Sequence, residues 1–267
     1  MVRAHHDARF TGGSRLLMED NPYAVSASSL DDVSRPALEG AGNAFRNLSG
    51  ISRNLSILLL VGVAWQALDL ISSFMQLNLL SHPPYSMTEA TANDLRERLV
   101  SVGEGVLFVV TAVIFARWIY LAHKNLPELG ARYLRFSPGW SVGSLFVPIV
   151  SWWAPYQAMR DLVKASRNPG QWELEDTPPF VVIWWALWLA VQFLGNSGLQ
   201  SAFHAHTLQQ LKHRTMVDIA ATVLSVPLYL LARHIVRRVW RDQSENYGQM
   251  TSASTSRERL PTSTVPG

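Results

Sequence analysis

Five polar side chains inside long apolar stretches are the residues of this sequence best suited to chemistry. They are two acids and three amides: Asp69, Glu104, Gln66, Gln192 and Asn196. A carboxyl group in hydrocarbon is costly, so it is retained where it binds a proton or cation, or where it pairs with another polar group. The pattern therefore favours either an intramembrane proton or cation site, or hydrogen bonds between helices with one carboxyl protonated.

The residues around Asp69 form a polar stripe along one helical face. Spacings of four, three, four and three residues join the members of the stripe, which are Gly62, Gln66, Asp69, Ser73 and Gln76. Such spacing places all of them on one side of a helix. We expect this side to face the bundle, with Asp69 beside the second or third span. The distance of these groups from the ends of their spans predicts that they meet in the outer half of the helix bundle. The groups are Asp69, Glu104, Gln192, Asn196 and Asp218.

Four apolar stretches must position these groups. They cover about 55–80, 99–122, 180–200 and 216–235, and each is long enough to cross roughly 30 Å of hydrocarbon. The predicted fold class is all-α: an integral membrane bundle of four transmembrane helices within 51–241, with an additional segment at 140–166. Residues 1–50 and 242–267 lack apolar runs and are predicted to be disordered cytoplasmic tails.

The stretch 137–166 is apolar but poorly suited to crossing a membrane. Pro148 and Pro155 each remove a backbone N–H donor, and its tryptophans prefer the membrane–water boundary. The sequence predicts a short apolar helix, a proline break and an amphipathic helix, re-entrant or lying at the interface. Trp152, Tyr156, Met159, Val163 and Ser166 share one face of the amphipathic helix, and Gln157, Arg160, Asp161 and Lys164 share the other. An ordinary kinked span is the alternative.

Two further predictions concern the same stretch. Gly139 and Gly143 are expected to permit close backbone approach. Arg160, Lys164 and Arg167 are expected to meet lipid headgroups, at about 1 kcal/mol each.

Basic residues decide between four and five spans, because cytoplasmic flanks carry an excess of Lys and Arg. With the N-terminus inside, the five-span arrangement places eight basic residues inside and nine outside. The four-span arrangement places thirteen inside and four outside, and it is preferred. The inner thirteen are Arg46, Arg53, Arg117, Lys124, Arg132, Arg135, Arg160, Lys164, Arg167, Arg233, Arg237, Arg238 and Arg241, and the outer four are Arg96, Arg98, Lys212 and Arg214.

Several classes of chemistry find no support in the sequence. The chain has no cysteine, which excludes disulfides and thiolate chemistry. His204, His206 and His213 do not have the spacing of a zinc site, and the common hydrolase and phosphate-loop motifs are absent. We therefore expect no enzyme activity, catalytic residue, cofactor or metal. The basic residues flank apolar blocks, which argues against nucleic acid as a partner.

One set of spaced residues resembles a known family. The set is Asn125, Pro138, Gly139, Trp140, Gly143, Pro148, Trp152, Pro155 and Ser166. Together with the flanking runs over about 50–240, it is similar to the bacterial membrane family called "domain of unknown function 4328". Ser151 departs from that pattern, where asparagine is common. The resemblance implies a multi-span protein of the bacterial inner membrane and implies no reaction.

Two classes of function remain open. The first is a non-enzymatic scaffold or regulatory protein whose aromatic, basic cytoplasmic face binds membrane lipids or a protein partner. The second is a small transporter or channel that uses the Asp69 region. A bundle sealed by apolar side chains favours the first, and a water-filled path to Asp69 favours the second. A second copy of the chain is also left open as a partner.

Overall fold

The computed structural model describes residues 45–82, 84–204 and 207–258, without the side chains of 196–204, 257 and 258. These residues belong to one compact unit that begins at Ala44. Residues 1–44 of the first predicted tail and 259–267 of the second lie outside this description.

Six α-helices follow one another along the described chain. They are α1 (Ser49–Ser81), α2 (Met87–Asn125), α3 (Pro138–Gly143), α4 (Ala154–Arg167), α5 (Pro179–His204) and α6 (Leu208–Glu258). Short 3₁₀ turns occur at Pro127–Leu129, Ser144–Phe146, Val150–Trp152 and Trp172–Leu174. Helix α6 packs along both α1 and α5, α2 packs on α1, and α4 packs against α6. The all-helical fold class is therefore confirmed for the described residues.

Three of these helices, α1, α2 and α6, are long and apolar enough to cross a membrane. The part of α5 with described side chains, Pro179–Gly195, is apolar but shorter. Their apolar side chains are widely exposed: on α2, Val106 and Val113 are 61% and 64% exposed. Such a continuous apolar surface is what a helix needs in order to lie against lipid.

Helix α2 begins about three turns earlier than the predicted span at 99. Ser86 caps the helix by accepting from the Glu89 N–H, and the Glu89 carboxylate accepts from the Ser86 N–H in return. This capping box is visible in the sequence as S-x-x-E. Residues 87–98 therefore form polar first turns of α2, ahead of the predicted span.

Helix α6 extends well past the predicted span at both ends. It runs through Pro227 without ending, and it continues to Glu258, where disorder was predicted from residue 242. Buried positions continue at helical spacing on this extension, with Val239 and Gln243 both fully buried. The disorder prediction rested on the composition of residues 242–267, which are rich in Ser and Thr. Composition does not show that one helical face is buried.

The stretch 137–167 is broken into short pieces, as its prolines predicted. Ser137 caps α3 with Pro138 in the first turn, and Pro155 lies in the first turn of α4, where a missing N–H costs nothing. Pro148 lies between two 3₁₀ turns. The segment is therefore not one straight helix.

Two finer predictions for this stretch were wrong. A Cβ at Gly139 would meet nothing within 4 Å, and at Gly143 it would meet only the neighbouring Trp140 ring, so neither glycine permits close helix contact. Asp161 was assigned to the polar face but is only 3% exposed, and its carboxylate pairs with Arg160 and Arg135.

The hydrophobic core lies at one end of the bundle. Here the start of α1, the end of α2, the start of α5 and the middle of α6 surround α4, and we call this the closed end. Trp118, Leu126, Leu162 and Val236 are fully buried there. The opposite end, which contains the α1–α2 connection, is called the hairpin end.

Candidate functional site

The polar stripe of α1 faces other helices, as its spacing predicted. Gln66 is 3% exposed and Ser73 is 4% exposed. A Cβ at Gly62 would lie 3.0 Å from the Tyr229 ring of α6. The residues of the stripe therefore lie in the contacts that α1 makes with α2 and α6.

Asp69 is paired with the last helix. Its Oδ2 accepts from Thr222 Oγ1 at 2.6 Å, and the same hydroxyl lies 2.9 Å from the Asp218 carbonyl oxygen. The prediction that Asp69 faces the bundle agrees with this geometry. Its hydrogen-bond partner lies on α6, and Glu97 and Glu104 of α2, the second span, are close enough to Asp69 for their charges to interact. Helix α6 packs beside α1, although the two helices lie at opposite ends of the described sequence.

Glu104 on α2 forms the second pair of the cluster. Gln66 Nε2 donates to Glu104 Oε1 at 3.0 Å. Trp65, one position earlier on α1, donates to the Val100 carbonyl oxygen at 3.3 Å. These two bonds fix α1 against α2 midway along the bundle.

A third set of polar contacts lies nearer the hairpin end. Ser72 donates to Glu97 Oε1 at 2.5 Å, and Arg96 Nε donates to Ser72 Oγ at 2.9 Å. Arg96 Nη2 also reaches Glu97 Oε1 at 3.3 Å. Together with Asp69 and Glu104 these groups form a ladder of polar pairs between α1, α2 and α6, which we call the hairpin-end ladder.

The ladder does not include Gln192, which is one of the five predicted polar residues. Gln192 is exposed on α5, and α5 packs mainly on α6. The Asn196 side chain lies outside the described residues. Asp218 is near the cluster, close enough to Glu104 and Asp69 for their charges to interact.

A different polar network closes the other end of the bundle. Asn125 is fully buried: its Oδ1 accepts from the Arg46 N–H at 3.0 Å, and its Nδ2 donates to the Arg46 carbonyl oxygen at 2.8 Å and to Gln243 Oε1 at 3.0 Å. Gln243 Nε2 donates to the Ala122 carbonyl oxygen and to Ser166 Oγ, both at 3.0 Å. We call this set the amide clamp.

The amide clamp joins two residues of the motif that are distant in sequence. Asn125 ends α2 and Ser166 lies in the last turn of α4, and both are fully buried. Gln243 bridges them, and Asn246 adds a bond of 2.8 Å to the Ser166 carbonyl oxygen. An amide both donates and accepts, so Asn125 and Gln243 satisfy each other and the backbone without any charge.

The remaining motif residues divide between buried and exposed positions. Pro155 is buried at the start of α4, whereas Trp140 and Trp152 are 48% and 62% exposed. Exposed tryptophans beside a closed helical end are typical of the aromatic belt at a membrane interface.

The three predicted headgroup residues already have protein partners. Arg160 Nη2 lies 2.8 Å from Asp161 Oδ1, Arg167 Nη1 lies 3.6 Å from Glu175 Oε2, and Lys164 Nζ lies 3.4 Å from the Glu173 carbonyl oxygen. Arg160 and Lys164 are half-buried and Arg167 is exposed. Their role in lipid contact stays a prediction.

Sequence reasoning missed Thr222, Glu97 and Gln243. Thr222 and Gln243 lie about six turns apart on one long helix, and only the full length of α6 places them at opposite ends of the bundle. The missed signal for Gln243 is an amide next to Asp242 on the buried helical face that includes Val236 and Val239.

The fold and these sites together define the class: an all-helical bundle, paired through internal polar contacts, with three helices long and apolar enough to cross a membrane. Within that class the chain belongs to the family described as "Domain of unknown function (DUF4328)", whose model matches residues 82–241. This match confirms the resemblance stated from the motif residues. It begins after α1. No curated protein and no solved structure matches the chain.

Proposed function

We propose that the protein is a four-span protein of the bacterial inner membrane with both termini cytoplasmic, and that it acts as a non-enzymatic scaffold or regulator. In this proposal α1, α2, α5 and α6 cross the bilayer, and the closed end faces the cytoplasm. The broken segment of α3 and α4 lies at the cytoplasmic interface, where its aromatic and basic residues contact lipid or a protein partner.

One contrast carries the proposal: apolar side chains are exposed along the helices, whereas the closed end is packed and fully hydrogen-bonded at the amide clamp. The most apolar part of α2 has only 6% of its residues buried. The closed end instead buries Trp118, Leu126 and Leu162 around the clamp. A sealed end suits a fixed platform for binding better than it suits a pathway for solutes.

The scaffold proposal is tested by flux and by insertion. The full chain is reconstituted into proteoliposomes and assayed for uptake of protons, sodium and potassium against empty vesicles. Flux indistinguishable from empty vesicles, with the chain resistant to alkaline extraction, is the expected result. Release of the chain by alkaline extraction would contradict the membrane proposal, and flux well above the empty vesicles would contradict the scaffold.

The hairpin-end ladder favours a second candidate, a small cation or proton transporter. Asp69, Glu104 and Asp218 come from three helices, and their charges interact. Transport through them requires that Asp69→Asn abolish flux. Asp94→Asn is the matched control, because Asp94 is exposed near the start of α2 and keeps the same change of charge. Equal flux in both variants would exclude Asp69 as the site.

A further inference from the structure

A cleft lined by three arginines lies between α1 and α6 at the closed end. Its volume is about 470 Å³, and Arg53, Arg233 and Arg237 line it. The volume falls in the range of roughly 300–1,000 Å³ that is usual for small-molecule sites. The three arginines were placed on the inner flanks by the charge count, but nothing in the proposed scaffold role uses them.

Within the described part of the chain, no ion pair offsets the positive charge of this cleft. Guanidinium groups stay protonated at all physiological pH values. Among the residues that the structure describes, Arg53, Arg233 and Arg237 form no ion pair, whereas Arg160, Arg167 and Arg238 each pair with a carboxylate. Three like charges around one cleft repel one another, so an anion between them would be stabilising.

Two buried polar atoms in the cleft also have no partner. Ser56 Oγ and Arg233 Nε are both buried and make no hydrogen bond within the described part of the chain. Ser56 is only 9% exposed, and a buried hydroxyl without a partner is normally avoided because it loses its bond to water. Both atoms are donors, and both of their residues line the cleft. A ligand with several acceptor oxygens would satisfy them.

Part of the cleft lining contributed by α1 is apolar. Arg53, Ile57 and Leu60 follow one another at i, i+4 and i+7 on α1 and all line the cleft, so they share one helical face. Arg53 and Leu60 are about 10 Å apart along the axis. Ile57 and Leu60 are 53% and 42% exposed. On this face of α1 the cleft is therefore charged near the start of the helix and apolar further along it. This arrangement matches an amphiphile rather than a small ion.

We propose that this cleft binds the phosphate group of an anionic phospholipid. The three guanidinium groups and the Ser56 hydroxyl donate to the phosphate oxygens, and an acyl chain follows Ile57 and Leu60. Arginine pairs strongly with phosphate because its N–H groups form parallel charge-assisted bonds. The inference rests on the proposed membrane location, since the phosphate must lie at the cytoplasmic interface. It also names the lipid class that the scaffold recognises.

The test measures binding of soluble lipid analogues to the full chain in detergent by isothermal titration calorimetry. The probes are dioctanoyl phosphatidylglycerol, dioctanoyl phosphatidylcholine, dioctanoylglycerol and inorganic phosphate. We expect the phosphatidylglycerol to bind at least tenfold more tightly than each of the others. The glycerolipid without phosphate tests the apolar wall alone, and inorganic phosphate tests the charged end alone.

Three variants connect the binding to the cleft. Arg233→Gln combined with Arg237→Gln should weaken phosphatidylglycerol binding by more than tenfold. Arg241→Gln, an exposed arginine of the same helix outside the cleft, should leave it unchanged. Ser56→Ala should weaken binding by about tenfold, the size expected for one bond to a charged group. It should not lower the thermal unfolding temperature, because the hydroxyl has no partner to lose.

Several results would overturn the inference. Equal affinity of wild type and the double arginine variant would remove the cleft from lipid binding. Inorganic phosphate binding as tightly as the lipid would make this a free-phosphate site, and dioctanoylglycerol binding as tightly would make it a purely apolar groove. Alkaline extraction of membranes is measured in parallel. A chain that stays in the membrane without lipid preference refutes only the cleft, whereas a chain released from the membrane refutes the proposed function.

Discussion

Gly103 and Gly105 lie two residues apart on α2 but have opposite surroundings. A Cβ on Gly103 would come within 2.2 Å of the Trp65 ring, whereas a Cβ on Gly105 would meet nothing within 4 Å. We expect Gly103→Ala to destabilise the protein by about 1–3 kcal/mol, because the ring must move and give up its bond to the Val100 carbonyl oxygen. The measurement is the free energy of unfolding in mixed detergent.

The matched control for this change is Gly105→Ala. It should be neutral or stabilising by up to about 1 kcal/mol, since alanine favours the helix more than glycine does. If both substitutions destabilise the protein equally, the contact between α1 and α2 at Gly103 is not as described.

Gln243 provides a second test at the scale of single residues. Gln243→Leu removes three hydrogen bonds of the amide clamp and leaves the buried Ser166 Oγ without its donor, so we expect a loss of about 1–3 kcal/mol in unfolding free energy. Gln249→Leu is the control, because Gln249 is exposed on the same helix. A small effect of Gln243→Leu, comparable to that of the control, would show that the clamp does not stabilise the closed end.

Single residues show where sequence reasoning succeeded and where it failed. The buried position of Gln66 followed from periodicity, because helical spacing alone determines which residues share a face. The partner of Asp69 did not follow, because Thr222 is 153 positions away and threonine is common on helices of every kind. Gly103 was missed for the same reason: its neighbour Trp65 belongs to another helix, and neither residue is unusual by itself.

The length of α6 gives a prediction at the scale of elements. A chain that ends after Arg241 loses Gln243 and Asn246, whereas a chain that ends after Glu258 keeps both. We expect the shorter chain to unfold at a lower temperature in detergent and the longer one to match the full protein. Identical unfolding temperatures for all three chains would contradict a structural role for the extension of α6.

Helix ends were the least predictable part of the elements. The apolar centre of each long helix was found from hydropathy, but hydropathy says nothing of polar turns beyond the apolar part. The start of α2 depends on the Ser86 capping box, and the end of α6 depends on buried amides among exposed serines and threonines. The break in 137–167 was predictable because proline acts locally, on the turn that contains it.

The orientation of the whole molecule is tested by labelling single cysteines, since the chain contains none. In intact cells, a membrane-impermeant thiol reagent should label Tyr85→Cys and should not label Gly170→Cys. Both positions are exposed, and the proposed four-span arrangement places them on opposite sides. Permeabilised cells provide the control, in which both should react. Labelling of position 170 in intact cells would favour five spans.

The amide clamp has a consequence for how the protein responds to its surroundings. Its groups, Asn125, Gln243 and Ser166, carry no charge at any physiological pH. A transmembrane voltage does work only on charges, at about 2.3 kcal/mol per elementary charge per 100 mV. Proton concentration, ionic strength and membrane potential therefore do not act directly on the groups of the clamp. Any sensitivity of the protein to those quantities must originate in charged groups outside the clamp. These include Asp161 and Asp242 at the closed end and the carboxyl groups of the hairpin-end ladder.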